Sequence, residues 1–261
     1  MQTNIDVMVF TDLDGTLLDH KTYDWGPAKA ALDRLRQVGA WVVLASSKTA
    51  AEVAPLRADI GFEHCPAIVE NGGGVLPAGR AMDTRATEYA RLRQALKDLS
   101  YSFQGFGDMT VAEVSELTGL DHASAARAKQ RQFSEPGLWT GSDEEFARFK
   151  LLLDKAGLSL QRGGRFFNLS FGWTKADRVK EMTTYYAPRN TIALGDAPND
   201  LEMLRSADFG VIVANPHGPK MPNQAREGMP TTKQPGPKGW SKAVLEILDG
   251  LSLEKETNTN G

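Results

Sequence analysis

The chain lacks the features of secreted and membrane proteins. It has one cysteine, Cys65, so no disulfide can form within it. Its first residues carry neither the basic segment nor the long apolar segment of a signal peptide. No apolar run approaches the roughly 20 residues that cross a bilayer. These absences predict a cytoplasmic protein with no membrane partner.

Positive charge is not in excess either. The 261 residues include 30 Lys and Arg against 33 Asp and Glu, which gives a net charge of −3. Since nucleic-acid phosphates are bound by a concentrated basic surface, no nucleic-acid partner is expected. The four histidines show no metal-ligand spacing. We therefore expect a small-molecule substrate, and the sequence leaves open whether the protein is a monomer or a homodimer.

What the sequence does contain is a repeated alternation of short apolar runs and helix-like segments. Residues 7–10 and 41–45 are runs of strand length, and the alternation resumes with 191–194 and 209–213. Such β-branched runs between helices predict a parallel sheet covered on both faces, with its ligand site at the carboxyl ends of the strands. The predicted fold class is α/β, with a Rossmann-like, doubly wound parallel sheet as its core.

The alternation stops in the middle of the chain. Helical stretches there are separated by Gly-rich breaks, and residues 161–171 resemble a strand. We predict a core formed by residues 1–79 and 173–261, with an inserted α+β cap domain over 80–172 that determines substrate specificity. Residues 215–239 are rich enough in Pro and Gly to predict an extended loop.

The strongest motif is Asp-Leu-Asp-Gly-Thr at 12–16, directly after the first predicted strand. The carboxylates of Asp12 and Asp14, two residues apart at a strand end, point the same way, and Gly15 permits a sharp turn there. Two ionised carboxylates this close repel, so the pair attracts a divalent cation or shares a proton. An Asp-rich helix cap is the structural alternative, and the preceding buried strand disfavours it.

A second acidic motif, Gly-Asp-Ala-Pro-Asn-Asp at 195–200, also follows an apolar strand. Mg²⁺ prefers oxygen ligands, and Asp196 on a neighbouring strand end would complete a site with Asp12. Asp200 would bind through water or orient Asp196. Asn199 and Asp200 are alternatively suitable helix caps.

Two weaker signals accompany these motifs. Ser46 follows the strand at 41–45, so its hydroxyl can donate to a phosphoryl oxygen at the same sheet edge, although a helix N-cap needs no such role. Lys175 lies at a predicted helix start, where the helix dipole disfavours a cation, which indicates a nearby anion. A solvated surface lysine is the alternative.

In this order the four motifs resemble the haloacid dehalogenase (HAD) superfamily of aspartate-nucleophile phosphohydrolases. Within this superfamily, three segments resemble motifs of the mannosyl-3-phosphoglycerate phosphatases, which belong to the capped, Cof-type subfamily. The segments are Ser-Ser-Lys-Thr at 46–49, Glu-Asn-Gly-Gly-Gly at 70–74 and Pro-Gly-Pro-Lys-Gly-Trp at 235–240. The resemblance implies a phosphomonoester hydrolase that dephosphorylates mannosyl- or glucosyl-3-phosphoglycerate. The partner is then a phosphorylated sugar or glycerate ester.

The resemblance also implies a role for each motif residue. Asp12 would be the nucleophile that forms an aspartyl-phosphate, and Asp14 the general acid and base. The cofactor would be Mg²⁺, with Asp12, Asp14, Asp196 and Asp200 as the metal site. The phosphoryl group would be bound by Ser46, Ser47, Lys175 and Asn199.

The predicted cap contains residues that are candidates for binding the leaving group of the substrate. Arg suits bidentate carboxylate binding, and Arg165 follows two glycines in a predicted cap turn. A polar run after residue 130 has the donors and acceptors that a sugar needs, and an Asn-Gly turn at 71–72 resembles one seen in the superfamily. The predicted substrate-binding residues are Asn71, Arg131, Gln132, Ser134 and Arg165. The alternative for each cap residue is a solvated surface position.

Several alternatives remain open at this point. The chain could be a HAD phosphatase of another sugar phosphate, or a phosphosugar mutase, which forms the same intermediate but must exclude water from it. A receiver-type signalling domain also surrounds an aspartate with acidic, hydroxyl and lysine side chains, but this chain is longer and has the predicted cap. A non-catalytic sugar-binding protein is disfavoured because every catalytic position is filled.

Overall fold

The computed structural model describes residues 5–80, 87–99, 102–163, 166–222 and 228–251. The chain divides into two compact units, the first formed by Met1–Ala45 with Lys175–Gly261 and the second by Ser46–Thr174. The unit boundaries after 45 and 174 differ from the predicted domain boundaries after 79 and 172, chiefly in the placement of 46–79. The assignment of core and cap therefore stays a prediction. Within the described residues no helix is long and apolar enough to cross a membrane.

Eleven strands and nine α-helices lie in the described parts of the chain. The strands are β1 (Val7–Thr11), β2 (Trp41–Ala45), β3 (Ala67–Val69), β4 (Gly74–Leu76), β5 (Phe103–Gly105), β6 (Ser134–Trp139), β7 (Ser159–Gly163), β8 (Phe166–Ser170), β9 (Asn190–Gly195), β10 (Phe209–Ala214) and β11 (Thr231–Pro235). The helices are α1 (Lys29–Gln37), α2 (Ala50–Asp59), α3 (Thr87–Leu99), α4 (Val111–Thr118), α5 (His122–Ala128), α6 (Asp143–Lys155), α7 (Lys175–Tyr186), α8 (Leu201–Arg205) and α9 (Gly236–Gly250).

The first unit is built on parallel strands in the order β11-β10-β9-β1-β2. Every residue of β1 is buried, as expected for a strand covered on both faces. Helix α1 packs against α9 and α7 packs against α8, so helices flank the sheet. Thr11 lies opposite Leu44 of β2 and Leu194 of β9, which brings the carboxyl ends of three strands level. The residues that follow these strands therefore lie at one sheet edge.

The second unit contains an antiparallel β3-β4 pair and a four-stranded antiparallel sheet in the order β5-β6-β8-β7. Its apolar core is formed by α3, α6 and this sheet, with buried Leu92, Phe149, Leu153 and Leu169. Helices α2, α4 and α6 each begin with a capping box, which satisfies otherwise orphaned backbone donors. A parallel sheet with flanking helices, together with an α+β segment between its strands, confirms the predicted α/β fold class.

Candidate active site

Asp12 lies in the first unit, immediately after β1. Its backbone N–H donates to the carbonyl of Leu194 in β9 at 2.9 Å, which continues the sheet pairing by one residue. Only 9% of the residue surface is exposed. The nucleophile predicted from the sequence is therefore held by sheet hydrogen bonding at the edge where parallel sheets bind ligands.

Lys175, the first residue of α7, is the cation of this site. Its Nζ donates to Oδ1 of Asp12 at 2.5 Å and to Oδ1 of Asp200 at 2.7 Å. The lysine is 2% exposed, and a buried ammonium needs such charged partners to offset its lost hydration. The sequence predicted an anion beside the start of this helix, and the carboxylates of Asp12 and Asp200 lie there.

Asp200 and Asp196 are held by hydrogen bonds that fix their orientation. The Oδ2 of Asp200 accepts from the backbone N–H groups of Asp196 at 3.2 Å and Ala197 at 3.1 Å. The Oδ1 of Asp196 accepts from the Thr16 hydroxyl at 2.7 Å, and its Oδ2 accepts from the Asn215 amide at 2.7 Å. Both carboxylates are buried and pre-oriented, so little reorganisation is needed when a ligand binds.

The electrostatics of the cluster favour a bound cation. Burial raises the pKa of Asp12 well above its ordinary value, because the attraction of Lys175 only partly offsets the lost hydration and the repulsion of the other carboxylates. Burial also raises the pKa of Asp196. Burial by itself lowers the pKa of Lys175, but the combined attraction of Asp12 and Asp200 outweighs it, so the net shift is upward and the ammonium keeps its proton. Three carboxylates around one ammonium leave an excess of negative charge in a buried place.

The donor set fits a hard metal ion. One carboxylate oxygen from each of Asp12, Asp196 and Asp200 lies within 4.8 Å of the other two, and all three residues are buried. Mg²⁺ takes oxygen ligands and commonly uses one or two carboxylates together with water and substrate phosphate. A divalent cation would also offset the repulsion that Asp196 and Asp200 exert on an ionised Asp12. These residues could therefore hold the metal predicted from the sequence.

Asn215 is a site residue that the sequence analysis did not identify. Besides its bond to Asp196, its Oδ1 accepts from the backbone N–H groups of His217 and Gly218, each at 3.0 Å. Gly15 has φ +84°, and a Cβ there would overlap the Asn215 amide. Asn215 directly follows β10, just as Asp12 directly follows β1. A polar residue directly after an apolar strand is the sequence pattern from which Asn215 could have been predicted.

The two remaining predicted residues of the first unit are less enclosed. Asp14 is half-buried in the turn after β1, where it forms an isolated bridge with Leu18. Asn199 is exposed in a short 3₁₀ turn before α8. The roles of Asp14 as general acid and base and of Asn199 in phosphate binding stay predictions.

The second unit brings together most of the other predicted residues. Ser46 is buried, and its carbonyl accepts from the N–H of Asn71 at 2.9 Å. The guanidinium of Arg131 donates to the carbonyl of Ser47 at 3.2 Å from both Nη1 and Nη2, and to the Ser134 hydroxyl at 2.7 Å.

Substrate binding by this group stays a prediction. The side chains of Arg131 and Ser134 are engaged in a buried internal network, which also includes the backbone of Gln132 and the unassigned Glu70. Arg165 lies outside the described residues, so its predicted contact with a substrate carboxylate rests on the sequence alone.

Buried carboxylates after the strands of a parallel sheet, with a lysine at the start of a helix beside them, are the arrangement expected of a haloacid dehalogenase-type hydrolase. Residues 9–156 and 163–234 match the family described as haloacid dehalogenase-like hydrolase, and the chain belongs to this family. It is 32% identical over 268 residues to a glucosyl-3-phosphoglycerate/mannosyl-3-phosphoglycerate phosphatase of Persephonella marina, with 94% of this chain and 98% of that protein covered.

Two further comparisons agree with this relationship. A protein of the same description from Methanococcoides burtonii is 32% identical over 264 residues, covering 92% of this chain and 97% of its own length. A crystal structure of a Thermoplasma acidophilum protein superposes with a TM-score of 0.67 at 16% identity, covering 96% of this chain and 100% of that one, and it supports the fold. The predictions of the superfamily and of a phosphatase are confirmed.

Proposed function

We propose that the protein is a Mg²⁺-dependent phosphomonoester hydrolase that forms an aspartyl-phosphate at Asp12. The observation that supports this proposal is the buried cluster in which Lys175 bridges Asp12 and Asp200 while Asp196 lies alongside. Its three carboxylates would hold the cation, and Mg²⁺ supplies charge neutralisation of the phosphoryl oxygens when bound. The remaining steps belong to the protein's own side chains.

In the first step a carboxylate oxygen of Asp12 attacks phosphorus in line with the leaving alkoxide. The bond to Lys175 Nζ and the sheet hydrogen bond of its backbone fix the Asp12 side chain, so attack needs little rearrangement. Asp14 gives its proton to the leaving oxygen as the phosphorus–oxygen ester bond breaks. Asp14 then takes a proton from the water that cleaves the aspartyl-phosphate, which releases inorganic phosphate and restores Asp12.

The substrate we propose is mannosyl- or glucosyl-3-phosphoglycerate. Two relatives described as glucosyl-3-phosphoglycerate/mannosyl-3-phosphoglycerate phosphatases are each 32% identical to this chain over more than nine-tenths of its length. Such an ester carries a carboxylate beside its phosphate, and Arg is the side chain best suited to bind it in a bidentate manner. Arg165 is the residue for which we propose that role, on the basis of the sequence.

A panel of phosphate esters tests the proposed reaction. It includes both glycosyl-3-phosphoglycerates, other sugar phosphates and p-nitrophenyl phosphate, each scored by released phosphate with Mg²⁺ or with EDTA. Asp12→Asn removes the charge of the nucleophile, so we expect kcat to fall by more than about 1,000-fold. Asp33→Asn, at a half-buried position on α1 outside the site, is the control and should leave kcat unchanged.

The panel also separates the proposed function from its alternatives. Release of phosphate in amounts equal to the ester consumed supports hydrolysis. Interconversion of two phosphosugars without released phosphate would identify a mutase instead. If Asp12→Asn kept more than a few per cent of the wild-type rate, another residue would have to be the nucleophile.

A further inference from the structure

Glu70, which the sequence analysis did not assign, occupies an unusual backbone position in the second unit. Glu70 and Asn71 adopt left-handed conformations with φ of +51° and +58°, which non-glycine residues seldom do. A residue in this conformation stores backbone strain and persists only when its surroundings hold it. Here the N–H of Glu70 donates to the Lys48 carbonyl and that of Asn71 to the Ser46 carbonyl, each at 2.9 Å. The turn after β3 is thus bonded to the 46–48 loop.

The Glu70 side chain points into a set of donors from a distant part of the sequence. It is 1% exposed and accepts from the backbone N–H groups of Gln132 at 2.8 Å, Phe133 at 3.1 Å and Ser134 at 2.8 Å. The Ser134 hydroxyl donates to it as well, at 2.8 Å, and Arg131 Nε lies 3.3 Å from Oε2. Three successive N–H groups around one carboxylate form an anion cradle, with the Glu70 charge as its anion.

Arg131 extends this network to the 46–48 loop. Its guanidinium pairs with Glu70 and donates to the Ser47 carbonyl through both terminal nitrogens. The ring of Phe133 covers the glycines after the turn, where a Cβ on Gly73 would come within 2.5 Å of Phe133 Cβ and one on Gly74 would overlap the ring. Three segments, 46–48, 70–74 and 131–134, therefore fit together in one arrangement around Glu70.

The residues gathered in this way are those that the sequence predicts to bind phosphate or substrate. Ser46 and Ser47 belong to the first segment and Asn71 to the second, while the third contributes Arg131, Gln132 and Ser134. We propose that Glu70 is a positioning residue that sets the affinity for the leaving group by holding the 131–134 segment to the 46–48 loop. This inference rests on the proposed phosphatase function and adds a determinant of its specificity.

Glu70→Gln tests the proposal by replacing one acceptor oxygen with an amide NH₂ that faces other donors. Glu135→Gln is the matched control, because Glu135 is also fully buried but accepts from Tyr89, Arg93 and Gly107. Glu70→Asp keeps the charge and provides a second, milder variant if the amide impairs folding.

The kinetic measurement compares p-nitrophenyl phosphate with the sugar ester that the wild type hydrolyses best. We expect Glu70→Gln to raise KM for the sugar ester about tenfold or more with kcat changed by less than about twofold. The kcat/KM for p-nitrophenyl phosphate should change by less than about twofold, because its leaving group contains no sugar that the 131–134 segment could bind. Glu135→Gln should leave both substrates as in the wild type. An equal loss on both substrates, or an unchanged KM, would overturn the proposal.

Hydrogen exchange provides a readout that does not depend on the substrate. The amides of 132–134 donate to Glu70, so Glu70→Gln should speed their exchange at least about tenfold, while Glu135→Gln leaves them as in the wild type. Wild-type exchange in Glu70→Gln would show that the segment is held by other contacts and would overturn the proposal. If the wild type hydrolysed no ester of the panel, the proposed function would fail, and hydrogen exchange would still decide whether Glu70 holds the segment.

Discussion

At the scale of single residues, Trp240 shows how a side chain far along the sequence supports the strand end that carries Asp12, the proposed nucleophile. The indole is fully buried, and its Nε1–H donates to the Thr11 hydroxyl at 2.9 Å. That hydroxyl in turn donates to the carbonyl of Asp12 at 2.8 Å. The structure thus places Trp240 inside the core, hydrogen-bonded to the residue that precedes Asp12.

A double-mutant cycle measures this contact. Thr11→Val keeps the side-chain volume but leaves the indole N–H without its acceptor, and Trp240→Phe removes the donor. Each change should lower the free energy of unfolding by about 1–3 kcal/mol, because a buried polar group loses its partner or a cavity forms. Together they should cost less than the sum by about 1 kcal/mol in urea unfolding. Additive losses would mean that the hydrogen bond contributes no net stability.

At the scale of elements, the turn after β1 places the acidic motif. Gly15 has φ +84°, and its N–H donates to the Leu18 carbonyl at 2.9 Å, which closes the turn. The same glycine lies against the amide of Asn215, which holds Asp196. The turn therefore needs glycine for two reasons, a left-handed backbone and the close approach of a neighbouring side chain.

Gly15→Ala and Gly39→Ala separate these two reasons. Gly39 follows α1 with φ +67°, and a Cβ there would have no neighbour within 4 Å. Gly39→Ala should cost about 1–2 kcal/mol of stability from backbone strain alone, with kcat/KM unchanged. Gly15→Ala adds an overlap with Asn215, so kcat/KM should fall by more than about 100-fold. Comparable activity in the two variants, measured on p-nitrophenyl phosphate, would show that the Asn215 contact is dispensable.

At the scale of the whole molecule, the buried charge of the site couples stability to pH and, through the proposed Mg²⁺ site, would couple it to metal. Burial raises the pKa of Asp12 and Asp196 above the ordinary value of 3.8. Without a cation, the folded protein then binds more protons than the unfolded chain between that value and the raised pKa. Its stability falls as pH rises through this window. A divalent cation at the proposed site would act in the opposite direction, because it would bind the deprotonated carboxylates.

We therefore expect the stabilisation by Mg²⁺ to increase with pH. A cation present at 100 times its Kd adds about 2.7 kcal/mol to the free energy of unfolding. The rise in Tm on adding Mg²⁺, relative to EDTA, should be larger at pH 7.5 than at pH 5. Asp196→Asn removes a proposed ligand and should reduce this rise at both values. A rise that was larger at pH 5 would contradict the proposed metal site.

The sequence was informative wherever a local pattern carries the structure. The alternation of strands and helices predicted the parallel sheet, and polar residues after apolar strands predicted Asp12, Asp196 and Asp200 at one edge. The sequence was less informative where a structure was predicted from the Pro and Gly content of a segment alone. Residues 215–239 were predicted as an extended loop, but the structure forms β11 at Thr231–Pro235 and begins α9 at Gly236. The prediction was wrong there because pairing with β10 and packing of Trp240 outweigh the local preference of Pro and Gly.

The sequence by itself determined which residues follow each strand, and with them the family and the phosphatase class, because turns and strand ends are encoded within a few neighbouring residues. Only the tertiary structure decided the partners of those residues. Three contacts show this: Asn215 with Asp196, Trp240 with Thr11, and Glu70 with the 131–134 segment. In each of them the neighbouring sequence of at least one partner gives no indication of the contact. Such contacts form only when the whole chain has packed, since hydrogen-bond partners in a buried place are selected by distance and shape rather than by spacing in the sequence.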